Sequence, residues 1–328
     1  MHILEQLKNR AIAIGGKIVL PEAGDKRTLE AADGIIAQGL AQVCLLGEAS
    51  TILTAAKSYN LDLSECEIID PVQSSDFEFF VHTLYERRKA KGMSEEDARL
   101  TMANPLYYGA MMVKHGLASG MVAGAANTTA DVLRAALHVV GVTPGLKTVS
   151  SSFIMVSPRS EDPCYLFADC AVVPNPTAEQ LADIATSTAQ TRKSILGDEP
   201  KVALLSFSTK GSAEHELVEK VRQAKSILDL RKVDFAYDGE LQLDAAIVQK
   251  IAQSKAPQSS VAGAANTLVF PDLQAGNIGY KLVQRLGGYE AIGPIIQGLA
   301  APICDLSRGC STEDIVNTAI LVLLMSNK

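Results

Sequence analysis

Two short apolar runs near the start of the chain decide the fold class: Lys17-Ile18-Val19-Leu20-Pro21 and Val43-Cys44-Leu45-Leu46-Gly47. A longer segment with helical spacing separates them. A third run in the middle of the chain, Val202-Ala203-Leu204-Leu205-Ser206, has the same character. Runs of this length, bounded by Gly, Pro or polar residues, are typical of buried strands. Their alternation with helices predicts an α/β chain with mostly parallel sheets and flanking helices.

Length and composition are those of an ordinary globular protein. The chain has 328 residues, about twice the usual domain length, so two domains are expected, and 47% of its residues are apolar, which is enough for packed cores. The net charge of −7 argues against binding nucleic acid or an anionic membrane through general electrostatics. An anionic substrate must therefore meet a local basic patch.

No segment predicts secretion, membrane insertion or metal binding. The N-terminal segment MHILEQLKNRAIAIGGK carries charges throughout, and the apolar run at residues 318–325 is far too short to cross a bilayer. The six cysteines include no CxxC pair, and the five histidines form no HExxH motif. We therefore expect free thiols in a reducing cytoplasm and no metal site.

One seven-residue sequence, VAGAANT, occurs at residues 122–128 and again at 261–267. In each copy we expect a strand to feed a turn whose small residues let a ligand approach the backbone. The side-chain donors at these turns would be Asn127, Thr128, Asn266 and Thr267. The flanking sequences differ, so this is not a solenoid repeat. Small residues would equally serve tight packing between strand and loop, and the sequence leaves both interpretations open.

A second motif lies near the C-terminus, where the chain reads Ser307-Arg308-Gly309-Cys310-Ser311-Thr312-Glu313-Asp314 before an apolar series with helical spacing. Ser311 and Asp314 have the spacing of a capping box at a helix start, as do Thr177 and Gln180 earlier in the chain. The preceding loop would bring a hydroxyl and a guanidinium group to the positive end of that helix, which suits a phosphate. A capped helix that follows a solvated arginine would have the same sequence.

Several common enzyme signatures are missing. No GxGxxG follows a strand, residues 141–148 have Leu where a P-loop needs Lys, and no GxSxG is present. A Rossmann dehydrogenase, a kinase and a serine hydrolase are therefore disfavoured. The pair Arg87-Arg88 and the single Arg134 are weaker candidates for anion binding, because basic residues before Gly92 also suit a helix end.

Several blocks together resemble the short form of the phosphate acetyltransferases, within the phosphate acetyl/butyryltransferase family. They run over essentially the whole chain: GMVAGAANTTADVLR at 120–134, FADC at 167–170, LSFSTKGS at 205–212, YDGELQ at 237–242, NTLVFPDL at 266–273 and SRG at 307–309. The resemblance implies a homodimer of two-domain chains with the fold of isocitrate and isopropylmalate dehydrogenases and an active site in the interdomain cleft. Domain I would comprise residues 1–145 and 297–328, and domain II, the dimerisation domain, residues 146–296.

The resemblance also implies the chemistry. The substrates would be coenzyme A and acetyl phosphate, or acetyl-CoA and inorganic phosphate in reverse, with no cofactor. The family's catalytic residues fall on Ser307, Arg308 and Asp314, and its two further substrate arginines on Arg88 and Arg134. The doubling with Arg87 leaves the first of these open by one position. The thiol of coenzyme A would attack the acetyl carbonyl, with Asp314 taking the thiol proton and Arg308 holding the phosphoryl oxygens.

Three other functions fit parts of this pattern. A phosphate butyryltransferase would share the fold and the site, because a methylene or two changes specificity by only about 1 to 3 kcal/mol each. A regulatory module that binds coenzyme A without activity would not need the intact Ser307, Arg308 and Asp314. A metal-dependent decarboxylating dehydrogenase of the same fold would need an acidic metal cluster, which the sequence does not show. The block pattern favours acetyl transfer.

Overall fold

The structure is a computed structural model that describes residues 3–159 and 163–327. Contacts within this part of the chain divide it into two compact units. The first unit contains residues 3–143 together with the returning segment from residue 299 to the C-terminal helix, and the second contains residues 144–298. Each unit has its own sheet and its own core.

The first unit is built on a five-stranded sheet in the order β11-β4-β1-β2-β3, in which every pairing is parallel. Its strands are β1 (Lys17–Leu20), β2 (Gln42–Leu46), β3 (Glu67–Ile69), β4 (Gly120–Ala123) and β11 (Ile303–Asp305). Its helices are α1 (Ile3–Ile14), α2 (Lys26–Ala37), α3 (Ala49–Tyr59), α4 (Phe77–Arg88), α5 (Glu95–Met102), α6 (Pro105–Lys114), α7 (Thr129–Val139) and α13 (Thr312–Ser326). Short 3₁₀ turns at Pro71–Gln73 and Lys89–Lys91 flank α4.

The two apolar runs of the first unit pair in parallel as β1 and β2, with Val19 opposite Cys44 and Leu20 opposite Leu45. All four of these side chains are fully buried. Strands covered on both faces read as continuous apolar runs rather than alternating ones. This explains why such short strands could be predicted from the sequence. The three predicted strands are confirmed to within one residue at each end.

The second unit has a six-stranded mixed sheet in the order β10-β5-β6-β9-β7-β8. Its strands are β5 (Ser150–Val156), β6 (Tyr165–Ala168), β7 (Lys201–Leu205), β8 (Ala236–Leu241), β9 (Thr267–Val269) and β10 (Glu290–Gln297). Its helices are α8 (Ala178–Ile195), α9 (Glu216–Arg231), α10 (Leu243–Ile247), α11 (Gln249–Lys255) and α12 (Leu273–Gly287). β5 runs antiparallel to both of its neighbours, β10 and β6, whereas the other pairings are parallel.

The core of the second unit lies on both faces of this sheet. Along β7, Val202 and Leu204 join a cluster that includes residues of α8 and α9. The alternate residues Ala203 and Leu205 join a second cluster. The two-residue period of a strand sends successive side chains to opposite faces, so one short strand supplies both clusters.

The sequence also located two helix starts. Thr177 begins α8 and Ser311 begins α13, each with a complete capping box involving Gln180 and Asp314 respectively. Both predictions of capping are confirmed. No helix within residues 3–159 and 163–327 is long and apolar enough to span a membrane.

Candidate active site

Three loops of the first unit meet at one edge of its sheet. β1, β4 and β11 are adjacent and parallel, so the segments that follow Leu20, Ala123 and Asp305 leave the sheet at the same edge. In open parallel sheets ligands bind outside the carboxyl ends of the strands. This edge carries the first VAGAANT copy and the Ser-Arg-Gly loop, and it is the candidate site within the first unit.

A buried glutamate, Glu22, organises the loop after β4. Its Oε2 accepts hydrogen bonds from the backbone N–H groups of Gly124 (2.9 Å) and Ala125 (2.8 Å). Its Oε1 accepts from those of Ala126 (3.0 Å) and Asn127 (2.7 Å) and from the Asn127 side-chain amide (2.8 Å). Successive N–H groups aimed at one point form a nest that suits an anion. Here the protein's own carboxylate fills the nest.

Asn127 and Thr128, whose side chains we expected to meet a ligand, hydrogen-bond to the protein itself in this structure. The Asn127 amide is taken by Glu22. Thr128 is the N-cap of α7, and its Oγ1 accepts from the Asp131 backbone N–H and donates to Asp131 Oδ2. Both side chains therefore hold the loop in place, because the helix start and the nest need these groups.

Arg27 ties the three loops together. Its Nη1 donates to the carbonyl oxygens of Arg308 (2.8 Å) and Cys310 (2.9 Å), and its Nη2 donates to that of Ala125 (2.7 Å). Asp25, the N-cap of α2, accepts from Arg27 Nε and Nη2. The Arg27 guanidinium in turn lowers the pKa of the Asp25 carboxyl from its ordinary value. The hydrogen bonds of the Arg27 guanidinium are thus all made within the protein, and they hold the backbone on both sides of Gly309.

The Ser-Arg-Gly loop presents its side chains outward. Ser307 and Arg308 are exposed, and Ser307 Oγ accepts from the Gly309 backbone N–H at 3.2 Å. Within the described residues the Arg308 guanidinium makes no hydrogen bond. Asp314 is exposed in the first turn of α13, where its Oδ2 accepts from the Ser311 backbone N–H (2.8 Å) and hydroxyl (2.9 Å). A hydroxyl, a guanidinium and a carboxylate therefore lie exposed on the loop before α13 and on the first turn of that helix, which is its positive end.

A buried carboxyl group lies directly under this loop. Asp305 is 3% exposed, and its Oδ2 accepts from Thr129 Oγ1 at 2.6 Å. In the described part of the chain, Asp305 Oδ1 has no hydrogen-bond partner. The pKa of Asp305 is raised to about 6, mainly by burial and in part by the Glu22 charge, and the hydrogen bond from Thr129 opposes this rise. The space is tight, since a Cβ on Gly124 would lie 2.5 Å from Asp305 Oδ1.

The second VAGAANT copy is built differently, and the expectation of a strand feeding its turn is wrong there. Thr267 begins β9, so this copy precedes its strand and lies at the amino end. Asn266 accepts from the Lys201 backbone N–H (2.8 Å) and donates to the Glu199 carbonyl (3.0 Å). Thr267 is fully buried. These contacts support the packing interpretation, because Asn266 joins its loop to the segment at residues 199–201 and the buried Thr267 hydroxyl donates to Asn266 Oδ1.

The paired arginines at the end of α4 have different surroundings. Arg87 donates through Nε to the carbonyl of His138 (2.9 Å) and through Nη2 to that of Val140 (3.3 Å), so it closes the C-terminal end of α7. Arg88 instead contacts the His138 ring, with its Nη2 3.1 Å from Nε2. Arg87 is therefore held by two backbone carbonyl oxygens, whereas Arg88 makes a single hydrogen bond among the described residues. Arg134 is exposed and pairs with Asp131 at 2.7 Å on its own helix.

Comparison with known proteins decides the family. The profile described as phosphate acetyl/butaryl transferase matches residues 2–323. The chain belongs to this family. The phosphate acetyltransferase of Thermoanaerobacterium thermosaccharolyticum is 54% identical to it over 320 residues, 97% of each chain. A phosphotransacetylase structure from Streptococcus pyogenes has a TM-score of 0.93 at 44% identity, covering 99% of this chain and 98% of the other.

The fold extends beyond the phosphate acetyl/butaryl transferase family. A structure named as a 4-hydroxythreonine-4-phosphate dehydrogenase from Salmonella typhimurium has a TM-score of 0.55 at 11% identity, covering 94% of this chain and 98% of the other. At that identity the likeness concerns the fold alone. It agrees with the dehydrogenase-like two-domain α/β fold that the sequence implied.

The sequence did not point to Glu22, Arg27 and Asp305, the three residues whose side chains hold the loops at this edge of the sheet. Each contacts partners far along the chain, such as Arg27 with Arg308, 281 residues away. One signal was available, because Pro21-Glu22 directly follows an apolar strand, and charged residues at that position meet the carboxyl edge of the sheet.

Proposed function

We propose that this chain catalyses the reversible transfer of an acetyl group between coenzyme A and inorganic phosphate. The observation that carries the proposal is the exposed set of Ser307, Arg308 and Asp314 on a loop whose backbone is held by Arg27. Family membership and the names of the relatives support the same reaction. Coenzyme A, acetyl phosphate and phosphate are then substrates, and no cofactor is required. A cytoplasmic location stays a prediction.

In the proposed mechanism the thiol sulfur of coenzyme A forms a bond to the acetyl carbon of acetyl phosphate. The bond between that carbon and the bridging oxygen breaks, and phosphate leaves with the electron pair. Arg308 neutralises the charge that develops on the leaving phosphate, and the positive end of α13 adds to this effect. Ser307 donates a hydrogen bond to the reacting carbonyl oxygen. Asp314 takes the thiol proton.

The last of these roles needs a test, because an aspartate in water has a pKa of about 3.9 and a thiol one of about 8.5. We propose that closure of the site reduces this mismatch by desolvating the carboxylate and by bringing cationic groups to the thiol. Asp314→Asn removes the base but keeps an oxygen that can accept from Ser311, so the helix cap survives. Asp97→Asn is the matched control, since Asp97 closes an equivalent capping box on α5.

We expect Asp314→Asn to lower kcat by far more than tenfold with little change in KM, and Asp97→Asn to leave both unchanged. Thermal unfolding of the two variants checks that the caps are intact. A loss below tenfold for Asp314→Asn, with unchanged substrate affinity, would exclude Asp314 as the base.

The overall function is tested by thioester formation from coenzyme A with acetyl phosphate and, in parallel, with butyryl phosphate. We expect kcat/KM to be clearly higher for acetyl phosphate. A preference for butyryl phosphate would keep the fold and the site but make the enzyme a butyryltransferase. Turnover of neither substrate would point to a binding module and overturn the proposal.

A homodimer is the second part of the proposal, with the contact on α12 of the second unit. Ile278, Leu282 and Leu286 recur every four residues along this helix and are 57%, 51% and 82% exposed. The spacing puts them on one face, and an exposed apolar stripe of this kind is typical of a protein interface. Because family members with this fold are typically homodimers, a second copy of the chain is the expected partner.

The interface is tested by Leu286→Glu, with Leu230→Glu on α9 as the control, because both leucines are 82% exposed. Light scattering should give a dimer for the parent chain and for Leu230→Glu, and a concentration-dependent monomer for Leu286→Glu. An intact dimer in Leu286→Glu would place the interface elsewhere. A parent chain that is monomeric would refute the dimer itself.

A further inference from the structure

His138 on α7 lies between two side chains from neighbouring helices of the first unit. Its Nε2 is 3.1 Å from Arg88 Nη2 at the end of α4, and its Nδ1 is 3.3 Å from the Tyr107 hydroxyl on α6. The ring is partly buried. The Arg87 guanidinium holds the backbone carbonyl of the same residue. The histidine is therefore fixed at both its backbone and its ring.

These contacts determine the protonation state of the ring. An arginine side chain can only donate hydrogen bonds, so His138 Nε2 must be the acceptor. The ring proton then resides on Nδ1 and is donated to the Tyr107 hydroxyl oxygen. A protonated imidazolium would carry hydrogen on both nitrogens and could not accept from Arg88. The observed geometry thus requires neutral His138.

Arg88 depends on this one contact for its orientation. Its Nε is buried and, in the described part of the chain, has no hydrogen-bond partner. The bond from Nη2 to His138 is the one hydrogen bond that the guanidinium makes among the described residues. Without it the side chain could rotate away, because Arg has several flexible torsions. The Nη1 edge stays free to donate to an anion.

We propose that neutral His138 is a positioning residue that holds the Arg88 guanidinium in the orientation that binds a substrate phosphate group. The inference rests on the proposed function and on the role of Arg88 as a substrate arginine, which the resemblance to the phosphate acetyltransferases implies. Acetyl phosphate and coenzyme A both carry phosphate groups, so the shared chemistry is a phosphate that Arg88 meets through its free edge.

Burial and the surrounding positive charges both favour the neutral form of His138. Burial lowers its pKa from the ordinary 6.5, and Arg88, Arg134 and Lys91 lower it further. Asp131, the carboxylate in the first turn of the same helix, is paired with Arg134, and burial raises the pKa of Tyr107 above its ordinary 10, so Tyr107 is neutral wherever His138 titrates. The sign follows directly: as the pH falls through the lowered pKa, His138 gains a proton, stops accepting from Arg88 and repels it. Phosphate binding should then weaken on the acid side.

The test compares two variants over a range from about pH 5.5 to about pH 8. His138→Gln places a carbonyl oxygen near the position of Nε2 and cannot titrate, so it should keep Arg88 in place at every pH. His138→Leu removes the acceptor and should raise KM about tenfold or more at every pH. His82→Gln is the control, because His82 is an exposed histidine on α4. At each pH the parent KM is divided by the variant KM, because this ratio cancels the effect of substrate ionisation.

Two arms identify the phosphate. KM is measured for acetyl phosphate at saturating coenzyme A, and for coenzyme A and dephospho-coenzyme A at saturating acetyl phosphate. We expect the ratio of parent KM to His138→Gln KM, for the substrate whose phosphate Arg88 holds, to rise several-fold as the pH falls. If the ratio of parent KM to His138→Gln KM instead falls as the pH falls, protonated His138 attracts the phosphate through its own positive charge. That result would overturn the proposal.

Arg88→Gln separates this inference from the proposed function. If Arg88→Gln raises KM and His138→Leu does not, the positioning role of His138 is refuted while Arg88 remains a substrate residue. If neither changes KM while acetyl transfer persists, both the positioning role and the assignment of Arg88 are wrong. If the parent chain shows no acetyl transfer, the proposed function itself is refuted.

Discussion

Replacing Glu22 with Gln should destabilise the first unit, because the carboxylate fills a nest of donors. Two donors reach Oε2, and three reach Oε1. A Gln side chain has one oxygen and one NH₂ group. In the better orientation the oxygen keeps the three donors, and the NH₂ group then faces the N–H groups of Gly124 and Ala125. Two buried donors lose their acceptor at about 1 to 3 kcal/mol each, so the free energy of unfolding should fall by about 2 to 6 kcal/mol.

That loss is large against the total of about 5 to 15 kcal/mol that is typical of a domain. Urea unfolding followed by far-UV circular dichroism measures it, since the chain contains no Trp. If the two units unfold in separate transitions, only that of the first unit should shift. Glu96→Gln is the control, because Glu96 is exposed on α5 and surface changes of this kind stay within about 0.5 kcal/mol. A change below about 1 kcal/mol for Glu22→Gln would refute the reasoning.

Three further outcomes are expected. Because the folded state raises the pKa of Asp305 from its ordinary 3.8 to about 6, ionisation of this one group should lower the stability of the parent chain by about 3 kcal/mol as the pH rises from about 4 to about 6. Asp305→Asn should not show that loss in urea titrations at each pH, and parallel curves would contradict the raised pKa. Burial raises the thiol pKa of Cys44 to about 12 and of Cys66 and Cys164 to about 11. Iodoacetamide near neutral pH should therefore label the folded chain at least about tenfold more slowly than the urea-unfolded chain, and equal rates would show accessible thiolates. Acetyl transfer should survive dialysis against EDTA, since the proposed mechanism uses side chains alone, and a loss restored by a divalent cation would contradict it.

The parts of this structure that the sequence predicted are those set by neighbours in the chain. The run Lys17-Ile18-Val19-Leu20 gives β1 because a strand covered on both faces needs continuous apolar residues. Ser311 and Asp314 are three residues apart, and that spacing alone brings them together in a capping box.

The parts that the sequence did not predict depend on contacts between distant segments. Glu22 and Asn127 are 105 residues apart, and Arg27 and Cys310 are 283 apart. The two VAGAANT copies also show that local sequence does not determine tertiary contacts. Identical residues form an anion nest after β4 and a packing corner before β9, because the partners around them differ. A motif specifies which groups are present, whereas the tertiary neighbours determine what those groups bind.

The filled nest after β4 has a consequence for where a phosphate binds. An empty nest of four N–H groups at the carboxyl edge of a parallel sheet would attract a phosphate strongly. With Glu22 buried inside it, the same loop presents a negative charge instead, and an anion is disfavoured there. Arg27 cannot offset this charge for a ligand, because its guanidinium is used by Asp25 and three carbonyl oxygens. The Arg308 guanidinium, which makes no hydrogen bond among the described residues, is therefore the favoured anion contact at this edge of the sheet.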